Sequence, residues 1–124
     1  MDGKIKSEKE RKRAKRAGRI RKNIEGTDAR PRLTVFRSSK HIYAQLIDDI
    51  HGKTICAAST LTPDLKEALK ALKKSDEAEK VGAKLAEIAK ARGITKVTFD
   101  RAGYPYHGRV ASLAKGARAG GLEF

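Results

Sequence analysis

The stretch "RLTVFRSSKHIYAQLIDDIHGKTICAAST", residues 32–60, decides the fold. Leu33 and Val35 alternate with Thr34 and Phe36. Ile42, Ala44 and Leu46 alternate with Tyr43, Gln45 and Ile47, and Ile55, Ala57 and Ser59 alternate with Thr54, Cys56 and Ala58. Strand side chains point to opposite faces in turn, so a period of two predicts three strands, each with one buried face. "RSSK" (37–40) and "DDIHGK" (48–53) supply turn residues between them. The stretch reads as a three-stranded antiparallel meander.

Toward the C-terminus the period becomes helical. "LTPDLKEALKALKK" (61–74) offers Thr62 as N-cap and Pro63 at the first helical position, which predicts a short helix. "SDEAEKVGAKLAEIAKARG" (75–93) predicts a longer one. Ser75 is placed to cap it, and Asp76, Glu77 and Glu79 suit the positive end of its dipole. Ala78, Val81, Leu85, Ile88 and Ala89 form one apolar stripe, and Gly93 is the stop after Lys90 and Arg92. "ITKVTFD" (94–100) returns to a strand, with Val97 and Phe99 on one face. "GRVASLAKGARAGG" (108–121) is a last helix with Val110, Leu113 and Ala117 inward. Gly116 inside it costs about 1 kcal/mol relative to Ala. The fold class is therefore α/β: the meander, then helix-strand-helix, a mixed sheet packed by helices and closed by a right-handed crossover.

Toward the N-terminus the apolar pattern vanishes. Residues 30–124 form one α/β domain, and residues 1–29 form a basic arm and hinge. "RKRAKRAGRIRK" (11–22) holds Arg11, Lys12, Arg13, Lys15, Arg16, Arg19, Arg21 and Lys22 and no acid. "SEKE" (7–10) has capping-box spacing, so a helix is expected to begin near residue 8. Like charges four apart, such as Arg11 and Lys15, repel each other. The arm is expected to be disordered when free and helical once phosphate neutralises it.

The chain carries a net charge of +14, and residues 1–22 alone contribute +8 of it, from eleven Lys or Arg against three acids. A polyanionic partner follows from that excess. Aromatics make up only 5 % of residues and Trp is absent, so the core must be aliphatic. Cys56 is the single cysteine, which excludes an intrachain disulfide and fits a reducing compartment. No apolar run approaches the roughly 18 residues of a membrane span, and no apolar segment of a secretory signal follows the basic N-terminus. A cytoplasmic protein without a membrane partner is expected.

Two further segments suit RNA. Around the first strand stand Arg30, Arg32, Arg37, Lys40 and His41, with Tyr43 beyond. Arginine offers forked donors to phosphate, and tyrosine offers a face to an unpaired base. "FDRAGYPYHGR" (99–109) runs from a strand end into a helix N-terminus, where backbone N–H groups favour anions. Arg101, Tyr104, Tyr106, His107 and Arg109 surround it. Enzymatic readings find little. Asp100, His107 and Ser112 lack a nucleophile elbow, no converging carboxylates suggest a two-metal nuclease, and no Walker or dinucleotide fingerprint occurs. His41, His51, His107 and Cys56 are too scattered for a zinc site. No catalytic residue, metal, cofactor or small-molecule substrate is assigned. A general polyanion binder is the alternative reading.

"RPRLTVFRSSKHIYAQLIDD" (30–49), "TFDRAGYPYHGRV" (98–110) and the ending "GLEF" (121–124) resemble the 5S-rRNA-binding protein family of the bacterial large ribosomal subunit, its protein eighteen. The resemblance covers nearly the whole chain in matching order. It implies a ribonuclease-H-like α/β motif without a catalytic site, and a place in the central protuberance on 5S rRNA, touching 23S rRNA. Large-subunit proteins five and twenty-five are the implied neighbours. The family's extension matches residues 1–22, its strand-turn motif Arg30, Arg32, Arg37, Lys40, His41 and Tyr43, and its loop Arg101, Gly103, Tyr104, Tyr106, His107, Gly108 and Arg109. Ala102-Gly103 stands where the family often has Gly-Gly, and Pro105 is less usual.

Overall fold

The computed structural model describes residues 11–15, 26–66, 69–70 and 72–124. Residues 11–15 are helical (α1), whereas the capping box and Arg16, Arg19, Arg21 and Lys22 lie outside the described residues. The meander forms as the alternation requires, with β1 at Arg32–Arg37, β2 at Ile42–Asp48 and β3 at Lys53–Ser59. The sheet order is β3-β2-β1-β4, where β4 (Thr98–Asp100) lies parallel to β1 and the other pairs are antiparallel. Helices α2 (Pro63–Lys66), α3 (Lys74–Ala91) and α4 (Arg109–Ala119) complete the chain.

Helices α3 and α4 cover one face of the sheet, and among the described residues they leave the other uncovered. Leu33, Val35, Ile42, Ala44, Leu46, Cys56 and Ala58 are buried against Ala78, Val81, Leu85 and Ala89 of α3 and Val110, Leu113 and Ala117 of α4. On β3 the register decides which set turns inward: Cys56 lies opposite Leu46, so Cys56 and Ala58 face the core and Ala57 is exposed. Thr34, Phe36, Tyr43, Gln45 and Ile47 occupy the opposite face.

Three local expectations give way to tertiary contacts. The strand expected over 94–100 shortens to three residues, because Val97 N donates to Glu123 O at 3.0 Å and Glu123 N to Thr95 O at 2.8 Å. The C-terminal residues take the hydrogen bonds that a longer β4 would have used. Ser75 does not cap α3. Its N-cap is Lys73, without a side-chain cap bond, and Lys74 Nζ instead ties the helix start to Ser39 O in the β1–β2 turn. Thr62 accepts from Ser59 N at 3.0 Å through its hydroxyl, holding the end of β3 rather than capping α2.

The sequence gives Gly116 a propensity cost, and the packing explains its presence. A Cβ at Gly116 would strike Glu79 O of α3, and a Cβ at Gly82 would strike Leu113 O of α4. The two helices thus cross backbone to backbone at reciprocal glycines, and neither obstacle is a side chain able to move aside. Gly116→Ala and Gly82→Ala each gain up to about 1 kcal/mol of helix propensity and lose about 1–3 kcal/mol to overpacking. Each is expected to lower the thermal midpoint, as read by circular dichroism. A midpoint at or above wild type would refute the close crossing.

The β2–β3 turn has its own lock. Asp48 ends β2 with no exposure, accepts Ile50 N at 3.0 Å and His51 N at 3.2 Å, and meets His51 Nδ1 at 2.6 Å. The His51 hydrogen bond is the main cause that holds the Asp48 carboxyl below its usual range. A lowered carboxyl stabilises the fold above its unfolded value, near about 3.9, and loses that contribution as pH falls through the folded value. His51→Ala is therefore expected to unfold at lower urea than wild type at pH 5, with the gap narrowing as the pH falls below the usual carboxylate range. An equal gap at every pH would assign the effect to something other than this carboxylate.

Candidate nucleic-acid interface

The strand-turn motif and the 99–109 loop fold onto each other through residues 67 and 71 positions apart in sequence. Arg109 Nη1 donates to Ser38 O at 2.9 Å. The Tyr104 hydroxyl accepts from Arg37 N and donates to Arg37 O, both at 3.3 Å. Arg101 Nη1 closes the loop onto Tyr104 O at 2.8 Å. The loop turns at Ala102, whose φ of 54° is left-handed, and Gly103, whose φ is 82°. Only glycine adopts that region readily. Ala102 is held there because Asp100 Oδ1 accepts its N–H at 2.8 Å.

The fold drives cations together at this junction. The Arg37 guanidinium lies 5.0 Å from the Tyr104 ring centre. Arg109 is half-buried, and its pKa is pushed down, first by desolvation and then by the charge of Arg37, with Glu77 opposing. The Nε atoms of Arg37 and Arg109 are buried and have no hydrogen-bond partner among the described residues. Two adjacent arginines with spare donors favour a shared anion, because a phosphate both screens their repulsion and accepts their hydrogen bonds. Around them Lys40 and His107 are exposed, and His41 packs its Nδ1 2.9 Å from Thr60 Oγ1. The N-terminus of α4 begins here too, after Gly108.

The arm reaches the same loop. Arg13 of α1 donates from Nη1 to Ala102 O at 2.9 Å, and its guanidinium lies 4.7 Å from the Tyr104 ring centre. Tyr104 is thereby flanked by two arginines and is 7 % exposed, so its ring presents little surface to a base. Tyr106 differs: it is 46 % exposed, sits edge-on to Phe99 at 5.7 Å, and its hydroxyl accepts from Arg118 Nη1 at 3.3 Å. Arg118, which no sequence motif singled out, also covers the Phe124 ring at 4.4 Å. Its position depends on where the C-terminus folds, which periodicity does not reveal.

Arg32 stands apart from the other cations. It is 9 % exposed, and its guanidinium is spanned by two carboxylates. Nε and Nη2 donate to Asp49 at 2.9 Å each, and Nη1 donates to Asp100 Oδ2 at 2.7 Å. The hydrogen bond to Asp49 is the main cause that raises its pKa. Asp49 Oδ2 also accepts Gly26 N at 2.7 Å, so the same cluster fixes the backbone that leads into β1. Arg30 is exposed beside it, with Nε 3.4 Å from Val97 O. Asp100, weighed above as a partner for His107, is wholly buried against Arg32 and Ala102 N. Among the described residues no three His, Cys, Asp or Glu side chains gather to hold a metal, and no described helix is long and apolar enough to cross a membrane.

Comparison with known proteins shows the family. The family model described as ribosomal L18 of archaea, bacteria, mitochondria and chloroplasts matches residues 7–124. The large ribosomal subunit protein uL18 of Sorangium cellulosum is 61 % identical over 112 residues, covering 90 % of this chain and 94 % of that protein. The uL18 protein of Desulforudis audaxviator is 58 % identical over 120 residues, covering 96 % and 98 %. That of Chloroherpeton thalassium is 59 % identical over 114 residues, covering 92 % of each.

Arg32→Met tests the buried cluster. It leaves Asp100 buried without its cation, a loss of about 3–5 kcal/mol for breaking such a pair. The chain is expected to unfold at clearly lower denaturant, while Arg30→Met, on the exposed side of the hinge, stays within about 0.5 kcal/mol of wild type. Equal stability of the two variants would show that the cluster does not hold the hinge.

Proposed function

The chain belongs to the ribosomal L18 family and is a structural constituent of the large ribosomal subunit, and from that premise we propose that it binds 5S rRNA and helps attach it to 23S rRNA in the central protuberance. The observation that carries the reading is the junction of Arg37 and Arg109, where two like charges meet, their buried Nε atoms without a partner among the described residues, beside the Tyr104 ring that Arg13 also flanks. In this reading Arg11, Lys12, Arg13 and Lys15, with Arg16, Arg19, Arg21 and Lys22 beyond, bind phosphates without regard to sequence. Arg37, Lys40, His41, His107 and Arg109 bind phosphates at fixed positions and so set register. Tyr43 and Tyr106 offer rings to unpaired bases. Arg30 guards the hinge, and Arg32, Arg101 and Tyr104 hold the surface in shape. Large-subunit proteins five and twenty-five are the proposed neighbours in a cytoplasmic ribosome.

The division of labour follows from charge. An A-form groove shows few readable base edges, so selectivity must come from a looped or distorted region met by a rigid surface. The domain supplies that rigidity. The arm supplies affinity that falls steeply with salt, by about 0.7–0.9 logarithmic units per phosphate released from its counterions.

Salt titration of binding separates these parts. Full-length chain, a chain beginning at Asn23, and Arg37→Ala/Arg109→Ala are each titrated against 5S rRNA and against transfer RNA. Full-length chain is expected to prefer 5S rRNA. Removing the arm is expected to weaken binding to both RNAs and flatten the salt slope while the preference survives. The double variant is expected to lose about one to two units of slope together with part of the preference. Failure of full-length chain to discriminate at moderate salt would leave only a general polyanion binder.

A further inference from the structure

The same face of the sheet that presents Tyr43 also presents Phe36, which the reading above leaves without a role. Phe36 points away from the core and is 52 % exposed, in a chain with three Phe and no Trp. It lies directly across from Tyr43 in the β1–β2 ladder, with ring centres 5.7 Å apart and planes tilted by 42°. His41 follows, 6.4 Å from Tyr43. Three rings therefore form a row across the β1–β2 hairpin. The larger aliphatic side chains Leu33, Val35, Ile42 and Leu46 are buried under α3 and α4, while Ile47 shares the face that carries this row.

The surroundings say what it fits. A hollow of about 670 Å³ opens beside the pair, with Phe36, Tyr43, Thr34 and Gln45 in its lining and Arg13 of the arm at its side. A smaller hollow of about 140 Å³ shares Tyr43 and Gln45 and extends toward Ala57 and Ser59 of β3. Arg37 and Lys40 flank the hairpin, and the carboxylates nearest this face, Asp49 and Asp100, are ion-paired with Arg32. The lining also includes Val35, Ile47 and Ala102, so it is mixed, but its cations, Arg13 and Arg32, suit a polyanion with flat faces better than an apolar protein anchor. A strand of nucleic acid supplies flat faces for the rings, polar edges for Gln45 and phosphates for the cations. A regular duplex hides its base faces in the stack, so the bases must be unpaired.

We propose that Phe36 and Tyr43 form a stacking platform for one or two unpaired bases of the bound RNA, with the Gln45 amide meeting the edge of a stacked base. The proposal rests on reading the chain as an RNA-binding protein and adds that a looped segment lies on the open sheet face, between the arm and the Arg37–Arg109 junction.

The absence of Trp makes the platform measurable in the full chain, because Phe36→Trp installs a single reporter at the site. A single-stranded hexanucleotide is expected to quench that tryptophan saturably, and a blunt duplex of equal charge is not. Against 5S rRNA at fixed salt, Phe36→Ala and Tyr43→Ala are each expected to weaken binding about tenfold. Phe36→Trp and Tyr43→Phe, which keep a ring, are expected to bind like wild type. The salt slope should stay unchanged in all four, since no phosphate contact is removed. Circular dichroism melts confirm that the variants fold. Equal quenching by duplex and single strand, or full affinity in both alanine variants, would overturn the platform, and so would full recovery by Phe36→Leu. The quenching arm does not depend on 5S rRNA, so a failed preference for that RNA and a failed platform give different results.

Discussion

One buried guanidinium holds the recognition surface together. Arg32 opens β1, and its three nitrogens reach Asp49 after β2 and Asp100 at the end of β4. Asp49 in turn holds Gly26, where a Cβ would strike Ile47 O and the Arg32 backbone. Asp100 holds Ala102 in its left-handed turn. One charge cluster thus ties Gly26 before β1, the end of β4 and the start of the Tyr104 loop. Its worth lies in geometry rather than net stability, because desolvation of buried charges offsets much of their attraction.

Around that anchor the chain separates two kinds of cation. Arg32 is neutralised within the fold, whereas Arg37 and Arg109 repel each other, a repulsion that Glu77 only partly offsets. Such repulsion is tolerable only where a favourable core pays for it, and the close crossing of α3 and α4 supplies that core. The α4 glycine that weakens the helix locally lets its backbone meet α3, which in turn sets Arg109 against the β1–β2 turn. A cost on the level of propensity becomes precision on the level of the surface.

The open sheet face fits the same scheme. A four-stranded sheet with helices on one side must leave the alternate residues of every strand to solvent or to a partner. Here those residues are neither uniformly charged nor uniformly small. They include a cross-strand Phe36–Tyr43 pair and Gln45, bordered by arginines. The bordering cations and the flat rings suit different parts of one nucleotide, phosphate and base, which is why charge alone does not describe the interface.

The meander, the two long helices and the basic arm were legible in residue order alone, because period, turn residues and charge runs are local properties. The alternation of Leu33, Val35, Ile42, Ala44 and Leu46 with their neighbours showed that β1 and β2 each have one face to bury. The clustering of cations at 30–43 and 101–109 likewise named both halves of the candidate surface. Residue order did not reveal that these halves meet, because Arg37, Ser38, Tyr104 and Arg109 become neighbours only when β4 adds beside β1. Nor did it distinguish Arg32 from Arg37, since one turns toward two carboxylates distant in sequence and the other does not. The start of α3 at Lys74, the three-residue β4 and the exposure of Phe36 were decided the same way. Hydrogen bonds and packing partners from far along the chain outweighed the local preference, and only the tertiary structure specifies which partners arrive.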